Sequence, residues 1–127
     1  MRLVVRPLLA ILLTLLLALP GLAREEIRVF ASDVVLRTDG SVEVTETIEV
    51  NAEGREIRRG IYRDIPVMML GSDGGKVRPE LNVRRVERGG QAETFRLETM
   101  GDFQRIWIGN PNRLLPPGVH RYTIRYT

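Results

Sequence analysis

Arg58 to Pro66 reads R-R-G-I-Y-R-D-I-P, three arginines, a tyrosine and an aspartate within nine residues. Guanidinium groups beside a carboxylate and a phenol can grip a ligand carboxylate, flank an acid–base pair, or tie a fold together through bidentate ion pairs. Ile57, Arg59, Ile61, Arg63 and Ile65 share one parity, so on an extended chain they point to one face. An apolar face carrying two arginines needs a partner for the charge. Upstream, Val42, Val44, Glu46, Ile48 and Val50 alternate with Glu43, Thr45, Thr47 and Glu49, the pattern of a half-buried antiparallel strand. Glu46 is the one carboxylate on the apolar face, where it costs several kcal/mol unless paired. A bidentate Arg–Glu46 pair, inside or at the rim of the core, answers both problems, and Arg63 is preferred to Arg59 because it lies deeper in the motif. A polar cleft for a ligand carboxylate or glycan is the functional alternative, and exposure at a sheet edge the third.

Other constellations carry less. Asp64 and Tyr62 fall on the face opposite those arginines, so parity separates Asp64 from Glu46 and weakens a carboxylate pair for hydrolysis. His120 is the only histidine, and Ser32, Ser41 and Ser72 lie in no nucleophile motif, so a serine triad has no support. His120 is expected on the solvent side of a strand. With no cysteine, disulfides and thiol chemistry are excluded and a zinc site is disfavoured; no metal or other cofactor is expected. G-S-D-G-G-K at Gly71 to Lys76 is one residue short of a phosphate loop, with Val77 where Ser or Thr is needed. Phe103, Trp107, Tyr122 and Tyr126 could stack sugars, although their alternation favours a core or tyrosine-corner role.

The elements that position these residues are short strands. Ile27 to Leu36 and Val42 to Val50 flank Asp39-Gly40, a hairpin signal. Asn51 to Gly54 turns the chain into the arginine-rich stretch, and Pro66 ends that strand. Residues 67–76 read as a loop whose apolar start, Val67 to Leu70, is an edge segment or a contact lip. Val77 to Val86 predicts a strand, at an edge because of Pro79; Thr94 to Leu97, Gln104 to Ile108 and His120 to Thr127 predict three more. About seven strands with Gly, Pro and Asn turns, and no helical period after residue 23, define an all-β, antiparallel immunoglobulin-like sandwich.

Residues 1–23 read as a signal-peptide helix. Arg2 and Arg6 form a positive start, Leu8 to Leu19 an apolar run, and Pro20 with Gly21-Leu22-Ala23 a cleavage site before Arg24. The run falls short of the roughly 20 apolar residues of a permanent anchor, so cleavage is favoured over anchoring. The domain is then residues 24–127, on the extracytoplasmic side. Arg2 and Arg6 are two of 19 basic residues; the remaining 17 face 16 acidic ones, a balance that supports neither nucleic-acid nor general anionic-membrane binding. The chain stops at Thr127 in mid-pattern, which suggests the N-terminal part of a longer protein.

D-G-S-V-E-V-T-E-T-I-E-V at Asp39 to Val50, R-R-G-I-Y-R-D-I-P at Arg58 to Pro66 and L-L-P-P-G-V-H-R-Y-T-I-R-Y at Leu114 to Tyr126 together resemble the N-terminal domain of the 2207 family of domains of unknown function. The resemblance covers nearly all of the chain after residue 23. It implies an extracytoplasmic β-rich domain followed by transmembrane helices, and it brings no established activity. The sequence reading is therefore a non-enzymatic ectodomain of a membrane protein that contacts an envelope partner. The rival is an envelope enzyme or ligand-binding domain acting on glycan or lipid near Glu46 and Arg63.

Overall fold

A computed structural model describes residues 24–127, and the signal segment read at 1–23 lies outside them. Ten strands follow in chain order: β1 (Glu26–Leu36), β2 (Val42–Ala52), β3 (Gly60–Pro66), β4 (Met69–Leu70), β5 (Lys76–Val77), β6 (Val83–Arg88), β7 (Gln91–Ala92), β8 (Phe95–Met100), β9 (Phe103–Gly109) and β10 (Gly118–Tyr126). Seven of these have six residues or more; β4, β5 and β7 are two-residue pieces. All pairing is antiparallel, in a five-stranded sheet of order β1-β2-β10-β6-β7, a three-stranded sheet β3-β9-β8 and the small β4-β5 hairpin.

The two larger sheets face each other through one core. Ile48 and Val50 of β2, Val86 of β6 and Tyr122 and Ile124 of β10 meet Ile65 of β3 and Ile106 and Ile108 of β9. Each comes from the apolar parity of its strand, so period-two alternation alone selects the buried face. The β1–β2 turn is closed by Arg37 N–H donating to the Ser41 carbonyl at 2.9 Å, with Gly40 at positive φ, as Asp-Gly predicts.

Residues 53–59 lie in none of the strands, and several of their backbone donors are met by a side chain. The Glu25 carboxylate accepts from the N–H groups of Glu53 (2.9 Å), Arg55 (2.8 Å) and Glu56 (2.7 Å). Desolvation pushes the Glu25 pKa up, but these backbone hydrogen bonds together take it down to about 2. The start of β1 is thereby fastened to the segment that leads into β3.

Three expectations are corrected. The strand read at Val77 to Val86 begins only at Val83, because Pro79 cannot donate to a ladder; Asn82 instead exchanges backbone hydrogen bonds with Thr127 at 2.8 and 3.0 Å. The loop read at 67–76 contains the β4-β5 hairpin, and its first residue, Val67, is buried. The apolar parity assumed from Ile57 fails at Arg59, because β3 starts at Gly60 and residues 53–59 bend rather than extend.

Two measurements check this picture. Ile106→Ala, at a fully buried site, is expected to lower unfolding free energy in urea by about 2–5 kcal/mol. Leu36→Ala, on an exposed strand end, is expected to change it by less than about 0.5 kcal/mol. Glu25, with its folded pKa below its ordinary 4.5, contributes stability above that value that is lost as pH falls towards about 2. Acid titration of unfolding should therefore show a shallower loss between those pH values in Glu25→Gln than in the parent chain.

Candidate functional site

Glu46 is only 2% exposed, the one buried charged residue among those described. In the large sheet it stands opposite Ser32 of β1 and Ile124 of β10, neither of which can neutralise it. Arg63 reaches across from β3, its Nε donating to Oε2 and its Nη2 to Oε1, both at 2.8 Å. The Tyr126 hydroxyl donates to the same Oε1 at 2.9 Å. The third face of the Arg63 guanidinium donates to the Asp64 carbonyl, and its carbon lies 5.1 Å from the centre of the Phe30 ring. One carboxylate thus joins β2, β3 and β10, with Phe30 of β1 stacked on its partner. The hydrogen bond to Glu46 raises the Arg63 pKa above its ordinary value. Desolvation first, and then the bond to Glu46, push the Tyr126 hydroxyl up to about 12. These groups hold their protons at neutral pH and leave Glu46 no free oxygen for a ligand.

Arg59 does not join this cluster. It is exposed and outside β3, and among the described residues it has no ion-pair or hydrogen-bond partner for its side chain. Tyr62 and Asp64 lie on the outer face of the small sheet. There Arg105 of β9 pairs with Asp64 in bidentate fashion at 2.7 and 2.8 Å and sits 4.0 Å from the Tyr62 ring centre. The hydrogen bonds from Arg105 lower the Asp64 pKa. Trp107 extends this layer: its ring is 5.5 Å from that of Tyr62, its Nε1 donates to Glu98 at 2.7 Å, and Arg96 stacks on it at 4.9 Å.

Sequence reasoning missed Arg105, Trp107 and Tyr126 in these roles. Tyr122 is buried, and Tyr126 is half-buried on the Glu46 cluster, whereas Trp107 lies on the outer face and Phe103 is exposed, so a core role for all four aromatics is corrected. His120 is half-buried rather than solvent-facing: Nε2 donates to the Pro116 carbonyl at 2.7 Å, and Nδ1 accepts from Arg88 at 3.3 Å. Among the described residues no three His, Asp or Glu side chains gather at metal-binding distance.

An antiparallel β domain with a closed ion-pair cluster and an arginine–aromatic outer face defines the class. The profile of the predicted membrane protein (DUF2207) N-terminal domain matches residues 26–127, and the chain belongs to that family. A relative described as "Uncharacterized protein YciQ" from Escherichia coli (strain K12) is 30% identical over 102 residues, 80% of this chain. The chain spans 16% of that relative's own length. No solved structure matches.

Removing one partner of the buried pair leaves an uncompensated charge. Glu46→Gln is expected to cost about 3 kcal/mol in urea unfolding. Tyr126→Phe, which removes one hydrogen bond to the charged carboxylate, is expected to cost about 1.5 kcal/mol. The double change Glu46→Leu with Arg63→Met should recover most of the first loss, since apolar groups of similar volume replace buried pairs well.

Proposed function

We propose that residues 24–127 are a non-catalytic, extracytoplasmic contact module of a membrane protein, exported by the segment at 1–23, and that β1 takes up an extended polypeptide strand. The observation that carries this reading is the exposure of β1. It is an edge strand of eleven residues, all of them exposed. Phe30 and Val34 pair with buried Ile48 and half-buried Val44 of β2, and Leu36 with exposed Val42, yet Phe30 is 51%, Val34 62% and Leu36 73% exposed. The core residues of the small sheet meet β2, β6 and β10, and on β1 the Arg63 guanidinium reaches Phe30. Val29 and Val35 make the opposite face apolar as well.

An edge of this length, unpaired among the described residues and, from Val29 on, apolar on both faces except at Ser32 and Asp33, is a template for another strand. Past a register shift at Ile27–Val29 it carries no lysine or proline to blunt pairing. The occupant that fits is a strand with alternating apolar side chains: its backbone satisfies the unpaired N–H and C=O groups, which neither a helix nor a lipid chain can do. Polypeptide to supply one is plentiful in the relative, most of whose length lies outside the matched stretch. An enzyme or ligand site at Glu46 and Arg63 is the weaker reading, because every carboxylate oxygen there is engaged within the protein.

The chain has no cysteine, so single cysteines report cleanly. In membranes of the producing cell, Val34→Cys is expected to react with a maleimide at least tenfold more slowly than Arg113→Cys on an exposed loop. A photo-crosslinker at position 34 should yield adducts to polypeptide outside residues 24–127. Equal labelling rates, adducts to lipid alone, or adducts only to β1 of a second copy would each overturn the reading.

A further inference from the structure

Gly60 and Gly109 face each other across β3 and β9, in the row that precedes Tyr62 and Trp107. A Cβ on Gly60 would lie 1.8 Å from the Ile108 carbonyl oxygen, and one on Gly109 would lie 2.3 Å from the Arg59 carbonyl oxygen. Gly109 also has φ +124, a backbone conformation that side chains rarely adopt. This row is bare backbone by necessity, and it contributes to an open depression of about 510 Å³ at the end of the small sheet.

Aromatic and basic side chains line the depression, together with Ile61, Ile108, Asn110 and one carboxylate, Glu56. Tyr62, Phe95 and Trp107 offer aromatic surface; Arg58 and Arg59 offer positive charge, while Arg96 is paired with Glu98 at 3.4 Å and stacks on Trp107. Arg63 and Arg105 nearby are each locked on a carboxylate, but among the described residues the side chains of Arg58 and Arg59 have no partner. The segment that presents them is held in place. The Arg58 carbonyl accepts from Leu115 N–H at 2.8 Å, and the backbone just before it is gripped by Glu25. Trp107 is likewise fixed from behind by Glu98 and Arg105. Preformed aromatic surface next to free guanidinium forks, over an exposed main chain, suits a ligand with one flat apolar face and a carboxylate edge. The depression is open rather than enclosed, as a ligand lying along the surface requires.

We infer that this depression binds a carboxylate-bearing saccharide, its ring face against the aromatic group and its carboxylate on Arg58 and Arg59. The depression lies at the end of the small sheet with no residue of β1 in its lining, so both surfaces can be occupied at once.

Trp107 is the only tryptophan, so intrinsic fluorescence of the purified chain reads this site alone. Titration with oligogalacturonate or oligoglucuronate is expected to give a saturable change, at least tenfold weaker for the neutral methyl ester of the same oligomer. Arg58→Gln combined with Arg59→Gln should weaken binding at least tenfold with the circular dichroism spectrum and Tm unchanged, while Arg113→Gln leaves binding as it was. The inference is overturned by any of four results: no saturable response to either acid, equal affinity for the ester, displacement by inorganic phosphate at equal concentration, or undiminished binding by the double variant.

Discussion

A carboxylate that faces an apolar core has to be neutralised where it stands, and the structure is arranged around that need at Glu46. Its own sheet supplies only Tyr126, a hydroxyl with no charge to offer. The compensating cation must come from the facing sheet, which fixes where β3 lies over β2: Arg63 has to reach Glu46 while Ile65 drops into the core beside Ile106. A slip of β3 by one residue would turn Arg63 outward, put Tyr62 and Asp64 on the core face, and leave a bare charge inside. An apolar pair could hold the sheets together as strongly. What the ion pair adds is a penalty on wrong registers, and it is in this sense that R-R-G-I-Y-R-D-I-P fastens the sandwich.

The same constraint explains the division of labour among the arginines. Arg63 and Arg105 sit two strands' faces apart, one inward and one outward, each holding a carboxylate in bidentate geometry. The two pairs lie back to back on β3, because Arg63 and Asp64 are sequence neighbours with opposite parity. The inner pair sets the packing of the sheets, while the outer pair stiffens the aromatic layer of Tyr62 and Trp107. Arg58 and Arg59, outside the strand, are free of both duties.

Much of this was legible in the residues. Clean alternation gave the inward face of β2, and the misplaced charge of Glu46 demanded an arginine of matching parity downstream. The choice between Arg59 and Arg63 turned on where the strand begins, and that is set by Gly60 approaching the Ile108 backbone, a contact invisible without the β3–β9 pairing. Tyr126 and Arg105 were beyond reach for a related reason. Tyr126 lies 80 positions from Glu46, and Arg105 lies 41 from Asp64; each meets its partner only because β10 inserts beside β2 and β9 beside β3. Strand order is a global property that local periodicity does not carry. β1 stands apart: its apolar residues stay exposed, because the core residues of the small sheet meet β2, β6 and β10 instead.

Both proposed surfaces lie outside the buried core. Inside, the one buried charge is saturated by three hydrogen bonds, and Tyr122, whose hydroxyl has no partner, is driven up to about 12 by desolvation and stays neutral. Tyr126, likewise pushed up to about 12, also keeps its proton near neutral pH. At the periphery the balance reverses: among the described residues β1 has one unpaired edge and mostly exposed faces, and two guanidinium groups without partners stand beside aromatic rings. Unsatisfied polar groups and uncovered apolar area cost least when a ligand or partner removes them from water. The two proposed surfaces are therefore where covering the domain would remove the most unpaired backbone and exposed apolar area.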